Sequence, residues 1–569
     1  MSHPNTTDND RCVHAAIDAL KQAPVRRTGL TIQRRIDLCQ ACIDTILPEI
    51  ETWMEAGAAG KGCPGETSVQ AEELLTGPLI AVRLLRLLKK SFTDIQRSGF
   101  PTLPGRPIDA MVSTYRSKPM IPIFPTKILQ DRLLFPGIRA HTILQAKTNS
   151  NKRHLKTLIR LQDPKVSRIS AVLGAGNVSS VPFSDAIHKS LVEGQQVVLK
   201  MNPVNAYLKP IFERAFAPLF QQGLIVAIEG DNHLGSTLVN HPDIDDIHLT
   251  GSIQTHDRIV WGDTPEEQSR RKVESDPKLK KRITSELGNV TPWIVVPGKY
   301  SSRQLHSQAK HIAASITNNA GFNCLSTRVL VTCAQWPQRE TFLALIRKYL
   351  DATPRRPAYY PGTVERYRRF TQTHIDLDHQ GCLPWSLIES QSVDAPNDSI
   401  HFQEESFTCV CVEKTISAEQ LERFLPKAVA FCNEVLPGSL CASITIPPGM
   451  KILVNSSIGR TLDALRYGCV CVNQWSGLAY SLLTPGWGGF PGATLDNARS
   501  GIDFVHNTFM LERVEKTVLT GPLVSFPKPV WFPDHRNSLQ VARELIHYYH
   551  TPTTQRLLQI FRYALVGTG

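Results

Sequence analysis

Long apolar runs are missing from this chain of 569 residues. No stretch reaches the roughly 18 apolar residues that a membrane span needs. The opening Met1-Ser2-His3-Pro4-Asn5-Thr6-Thr7-Asp8 is polar and lacks the apolar centre of a secretory signal, so a cytoplasmic location is the expectation. Low-complexity tracts and large blocks of like charge are absent too, which confines expected disorder to the termini. The net charge of +12 is not gathered into a dense Lys/Arg cluster with interleaved aromatics, so nucleic-acid binding ranks last among the functions considered. Its densest basic segments, Arg270-Arg271-Lys272 and Lys278-Leu279-Lys280-Lys281-Arg282, read as a solvated loop. No compact cysteine framework exists either. The thirteen cysteines are odd in number and scattered, which fits reduced thiols better than disulfides. Cys39-Gln40-Ala41-Cys42 has metal or redox spacing, yet no second Cys/His pair lies near its helix-like stretch, so the pair reads as packing and no metal site is expected.

What is present is a soluble composition, 41% hydrophobic and 20% charged, in a chain long enough for two or three domains. The first hundred or so residues carry apolar positions at helical spacing, as from Pro78 to Leu88, where a proline opens the helix. From about Ser167 the texture changes to short apolar strands alternating with amphipathic helices: Ile169 to Leu173, Gln196 to Leu199, Leu224 to Ile228 and Ile247 to Thr250. A second series begins at Trp293-Ile294-Val295-Val296 and ends near Cys469-Val470-Cys471-Val472, after a polar insert over residues 262–281. Alternation of this kind specifies parallel sheets with crossover helices.

Among the cysteines, Cys324 stands out because Glu286-Leu287-Gly288 precedes it. A thiolate attacks an electron-poor carbonyl carbon, and a nearby carboxylate activates the water that releases the acyl group, so the two residue types serve two half-reactions.

Ordered motifs from Ile169 to Leu519 resemble the aldehyde dehydrogenase superfamily. They run Gly174-Ala175-Gly176-Asn177, Val197-Val198-Leu199-Lys200, Leu249-Thr250-Gly251-Ser252, Glu286-Leu287-Gly288-Asn289, Cys324, Glu404-Glu405-Ser406-Phe407, Val472-Asn473 and Trp487-Gly488-Gly489-Phe490. The resemblance implies Cys324 as nucleophile, Glu286 as general base and Asn177 as oxyanion donor. It implies Lys200, Thr250, Gly251, Ser252, Leu287, Glu405 and Phe407 as contacts of NADP or NAD. Gly176, Val178, Phe322, Asn323 and Trp487 would line the substrate tunnel.

The chain also departs from the family. Pro203 stands where a typical member has a glutamate for the adenosine ribose, which removes repulsion against a 2′-phosphate, so NADP should be accepted at least as well as NAD. Gly176 and Val178 replace bulky neighbours of the asparagine, which implies a tunnel for a bulky or long-chain aldehyde. The Gly-Asn segment without its aromatic neighbour is also similar to the acyl thioester reductases of the superfamily, although those generally lack the glutamate kept here as Glu286.

The expectation is therefore an α/β protein of two Rossmann-like domains with parallel sheets, a small bridging element and a C-terminal extension. Residues 1–285 would bind the nicotinamide dinucleotide and include a helical N-terminal part. Residues 286–474 would carry the thiol, 475–520 would return to the cofactor domain and supply the bridging element, and 521–569 would form the extension. The expected activity is NAD(P)-dependent oxidation of an aldehyde to its acid through a thiohemiacetal and a thioester. Acyl-CoA reduction and a non-catalytic cofactor-binding scaffold are the alternatives. Family likeness also implies a homo-oligomer, dimer or tetramer. The Pro/aromatic segment 525–533, followed by two helices, reads as packing across a neighbouring surface or subunit.

Overall fold

The computed structural model describes residues 6–105, 118–145, 165–373, 377–378, 380–390, 397–450 and 456–567; Met1 to Asn5 of the opening segment lie outside them. The N-terminal third is helical, as its periodicity requires. Pro78–Ser98 is one helix, opened by its proline and closed by Gly99 at φ 81°, where a residue without Cβ takes the left-handed cap. Cys39 and Cys42 lie fully buried within the helix Ile32–Ile46.

Two antiparallel strands come first, β1 (Met120–Phe124) and β2 (Arg139–Leu144). A five-stranded sheet follows from β3 (Ile169–Leu173), β4 (Gln196–Lys200), β5 (Ile225–Ile228), β6 (Asp246–Gly251) and β7 (Arg282–Leu287), all parallel in the order β5-β4-β3-β6-β7. β4 is buried at every position, the near-continuous apolar pattern of a parallel strand covered on both faces. The remaining strands are β8 (Pro292–Val295), β9 (Val329–Cys333), β10 (Ser386–Ile388), β11 (Val410–Ile416), β12 (Cys441–Thr445), β13 (Cys469–Val472) and β14 (Val514–Thr520). With β1 and β2 they form a nine-stranded sheet, β1-β2-β14-β13-β12-β8-β9-β11-β10, parallel except where β2 pairs with β1 and β14. Each sheet carries its own large apolar core.

Two segments are shared between these units. β1 and β2, from the N-terminal part, complete the second sheet. The stretch 475–520 ends in β14, which joins that sheet, while Ser500 and Ile502 accept hydrogen bonds from Leu287 and Ser285 of β7 at 3.1 and 2.9 Å. The polar insert folds as the helix Pro265–Glu274 with no buried residue. Its basic side chains are engaged locally: Arg270 with Glu274 (2.7 Å), Arg271 with Glu267 (2.8 Å) and Lys272 with Asp257 (2.8 Å). Among the described residues no helix is long and apolar enough to cross a membrane.

Candidate active site

In the five-stranded sheet the winding reverses between β3 and β6, and a crevice opens at the carboxyl ends of strands beside such a switch point. The loops there carry the expected residues. Gly174 to Asn177 follow β3, and Thr250 and Gly251 end β6 before Ser252. Glu286 lies near the end of β7, in register beside Thr250. Ser252 caps the helix Ile253–Trp261, its hydroxyl accepting from the Thr255 N–H at 3.2 Å, so a positive helix pole opens on the crevice.

The thiol comes from the other sheet's side. A helix over Ser302–Thr317 leads into a tight turn in which Asn319, Ala320 and Gly321 all have positive φ (51°, 55° and 82°). Only glycine fits at 321, since an added Cβ would lie 2.7 Å from the Thr408 carbonyl carbon. Arg328 braces the turn by donating to the carbonyls of Gly321 (2.6 Å), Asn323 (3.1 Å) and Thr408. The Asn323 side chain accepts from the Leu325 N–H at 3.0 Å, and Thr291 donates to the Cys324 carbonyl at 2.8 Å.

This turn delivers the Cys324 Sγ to 3.5 Å from Glu286 Oε1. The second carboxylate oxygen, Oε2, is buried without a partner. Burial first, then the charge of Asp185, raises the proton affinity of Glu286. Burial, then the charges of Glu286 and Glu405, pushes the Cys324 thiol well above its ordinary value. The Asn177 amide donates to the Phe322 carbonyl at 3.0 Å, which uses one of its two hydrogens.

Two cavities meet at these residues. One, of about 310 Å³, is lined by Val178, Val181, Asn323, Tyr480 and Trp487. The other, of about 930 Å³, is lined by Gly176, Gly251, Ser252, Leu287, Glu405 and Phe407. Asn177, Thr250, Glu286 and Cys324 belong to both walls. Glu405 sits in the larger cavity with Oε2 accepting from the Asn289 N–H at 3.3 Å and Oε1 unpartnered, and burial lifts its pKa to about 7.

Three expected residues sit elsewhere. Gly176 faces the larger cavity and not the tunnel; it backs onto Asn202, whose Oδ1 would lie 2.6 Å from an added Cβ, so close packing explains the glycine. Phe322 is buried beneath the thiol turn against Tyr359 and Tyr360 and lines neither cavity. Lys200 ends β4 buried, facing the charge of Asp231, and Asn202 takes its place on the cavity wall.

Sequence reasoning missed Asn319, whose Nδ2 donates to the carbonyls of Asn177 (2.8 Å) and Phe322 (2.9 Å), tying the oxyanion candidate to the thiol turn. It also missed a buried cluster around Asp185. Thr250 Oγ1 donates to this carboxylate at 2.8 Å, His506 Nε2 lies 3.2 Å away and His248 Nε2 3.5 Å. Burial opposes its ionisation, but the two histidines outweigh that and hold it below the ordinary carboxylate range. These residues are far apart in sequence and stand in no motif. Among the described residues no group of three or more His, Cys, Asp or Glu side chains could hold a metal ion.

A parallel-sheet α/β protein with a half-buried thiol beside a buried carboxylate, where an open cleft meets a tunnel, is the class that fold and site define. Residues 169–354 match the model of the Aldehyde dehydrogenase family. Aldehyde dehydrogenase LUC3 of Fusarium sp is 28% identical over 144 residues, a match that covers 25% of this chain and 28% of that relative's length. The NAD-dependent aldehyde dehydrogenase of Sinorhizobium meliloti superposes with a TM-score of 0.59 at 15% identity, over 93% of this chain and 89% of that one. The NADP-dependent glyceraldehyde-3-phosphate dehydrogenase of Bacillus halodurans C-125 does so with a TM-score of 0.57 at 16% identity, over 92% and 93%. At those identities the structures speak for the fold. Over residues 169–354 the chain is similar to the aldehyde dehydrogenase family, and its fold is that of these solved structures.

Proposed function

We propose that this protein oxidises a bulky or long-chain aldehyde to its carboxylic acid, with NADP or NAD taking the hydride. The observation that carries the reading is the Cys324–Glu286 pair at 3.5 Å, placed where the two cavities join. One cavity then admits the aldehyde and the other the dinucleotide.

The larger cavity suits a dinucleotide. The N-terminus of the helix Ile253–Trp261 offers its first N–H groups to a pyrophosphate, and Thr250, Gly251 and Ser252 lead into it. The unpartnered Glu405 Oε1 is an acceptor awaiting a hydroxyl, and Gly288 leaves room for it, since a Cβ there would lie 2.3 Å from Glu405 Oε2. Phe407 and Leu287 supply apolar wall. Lys200 does not line this cavity and is no direct contact in this reading. Solved relatives in complex with NADP, or described as NAD-dependent, support either cofactor. Pro203 favours acceptance of NADP.

Cys324 starts as a thiol. Glu286, with its raised proton affinity, takes the Sγ proton as sulfur attacks the aldehyde carbon. The oxygen that gains charge lies within reach of the Asn177 amide and the Cys324 backbone N–H, and losing one such donor typically costs about 3 kcal/mol in the transition state. A bound nicotinamide ring supplies the hydride acceptor for collapse of the thiohemiacetal. Once Glu286 has released the first proton to solvent, it deprotonates the water that hydrolyses the remaining Cys324 thioester, its unpartnered Oε2 serving as the acceptor.

The test is an aldehyde panel with NADP and with NAD, following reduced cofactor and identifying the product with and without CoA. Cys324→Ala should abolish turnover while keeping cofactor affinity, and Glu286→Gln should slow both formation of the acyl-enzyme and its hydrolysis, since Glu286 is the base in both steps. Intact activity in Cys324→Ala refutes the mechanism, and product formed only with CoA points to thioester chemistry instead.

A further inference from the structure

The smaller cavity does not end in the parts of the chain that match the family. Its wall is shared by Cys324, Glu286, Val178, Val181 and Tyr480 with Trp531 and Phe532 and with Leu545 and Tyr549 of the helix Ser538–His550. All four of these residues lie beyond β14, the last strand of the nine-stranded sheet. Leu75 and Leu79 form part of the facing wall.

This extension is held in place by side chains of the body. Asp534 pairs with Lys310 at 2.8 Å, and the Phe532 ring stands edge-on to His311 at 4.8 Å. Arg543 forks onto Glu51 with bonds of 2.8 and 2.7 Å. Arg83, buried and paired with Asp131 at 3.2 Å, donates to the Tyr549 hydroxyl at 2.5 Å, and Arg86 donates to the Tyr549 carbonyl at 2.5 Å. A segment tied at both ends over a cavity lined by its own rings is a wall fixed in advance, which reduces the ordering cost of binding. Because leucine, valine and aromatic side chains dominate this route, the ligand that fills it is apolar and long enough to reach from the thiol to the extension.

We propose that the C-terminal extension, through Trp531, Phe532, Leu545 and Tyr549, forms the far wall of the aldehyde channel in its own chain and sets selectivity for elongated apolar aldehydes. The inference rests on the reading of Cys324 as the aldehyde-binding thiol. It assigns the Pro/aromatic segment an internal surface in place of a neighbouring subunit.

The experiment uses the full chain with Trp531→Ala and Leu545→Ala, two half-buried positions on different elements. The first readout is the ratio of kcat/KM for decanal to that for propanal, expected to fall about tenfold in each variant, the loss of roughly two methylene contacts. The second is the Kd for decanoate, the product acid, measured by tryptophan fluorescence in the Cys324→Ala background, where no turnover is needed. It should weaken by a similar factor for Leu545→Ala, and for Trp531→Ala when followed by calorimetry. Weakened decanoate binding in a protein that oxidises no aldehyde keeps the wall and overturns the activity. Aldehyde turnover with an unchanged ratio and an unchanged Kd keeps the activity and overturns the wall.

Discussion

Replacing Asn319 probes how the thiol turn is held, and the structure sets the size of the effect. Its side chain donates to the carbonyls of Asn177 and Phe322 and accepts from Lys61 Nζ at 2.7 Å and from the Tyr359 hydroxyl at 3.0 Å. Alternatives remain for each group after truncation: Lys61 keeps Glu73 at 2.5 Å, Phe322 O keeps the Asn177 amide, and Asn177 O keeps Tyr359 at 3.3 Å. The loss is thus nearer the net value of the bonds than the cost of orphaned groups, about 3 kcal/mol for four bonds of which one is to an ammonium. Asn319 also sits at φ 51° and ψ 39°, where alanine costs about 1–2 kcal/mol more. Glycine escapes that steric cost but loses about 0.5–1 kcal/mol of extra backbone entropy. Asn319→Ala should therefore lower stability by about 4–5 kcal/mol, and Asn319→Gly by about 0.5–1 kcal/mol less. Urea unfolding read through the midpoint at constant slope measures both. A loss below about 1 kcal/mol for alanine, or glycine falling below alanine, refutes the account of the turn.

Two shorter tests address charge and thiols. Asp185→Asn removes a carboxylate that raises the proton affinity of Glu286, so Glu286 should ionise at lower pH and the acid limb of the kcat/KM profile for aldehyde should move to lower pH; a shift upward contradicts the assignment. Of the thirteen free cysteines only Cys12, Cys63 and Cys324 are other than buried, so a thiol reagent acting on the native protein should modify no more than those three, and all thirteen after unfolding.

The α/β texture was legible because apolar strand runs such as Ile169 to Leu173 and Gln196 to Leu199 alternate with amphipathic helices. β12 escaped notice because Cys441-Ala442-Ser443-Ile444-Thr445 has too little β-branched character to stand out, and its burial comes from neighbours on both sides. β1, β2 and β14 pair across most of the chain length, a relation no local pattern encodes. Cys324, Glu286 and Asn177 were readable as ordered residue types, and the structure brings them to one point. The placements of Gly176, Phe322 and Lys200 were not readable, because a sequence position beside a site residue does not say which way a side chain turns. Gly176 is governed by Asn202 behind it, and Phe322 by the aromatic packing under the turn.

The electrostatics of the site bear on when the nucleophile forms. Two carboxylates, buried Glu286 and half-buried Glu405, both raise the proton affinity of the Cys324 thiol, and burial of the thiol does so more than either. Arg328 is the cation beside them, yet its guanidinium is spent on the carbonyls of Gly321, Asn323 and Thr408. It shapes the turn and does not hold a resting thiolate. A free thiolate at this place would thus lack a committed counter-charge, and the resting site keeps its proton on sulfur. In the proposed reaction, deprotonation would be favourable only when negative charge can pass onward at once, from sulfur to a carbonyl oxygen that meets the Asn177 amide and the Cys324 N–H, so the aldehyde would itself complete the activation of the thiol. The same arrangement would guard the cysteine between turnovers, since oxidants and stray electrophiles react with thiolate far faster than with thiol.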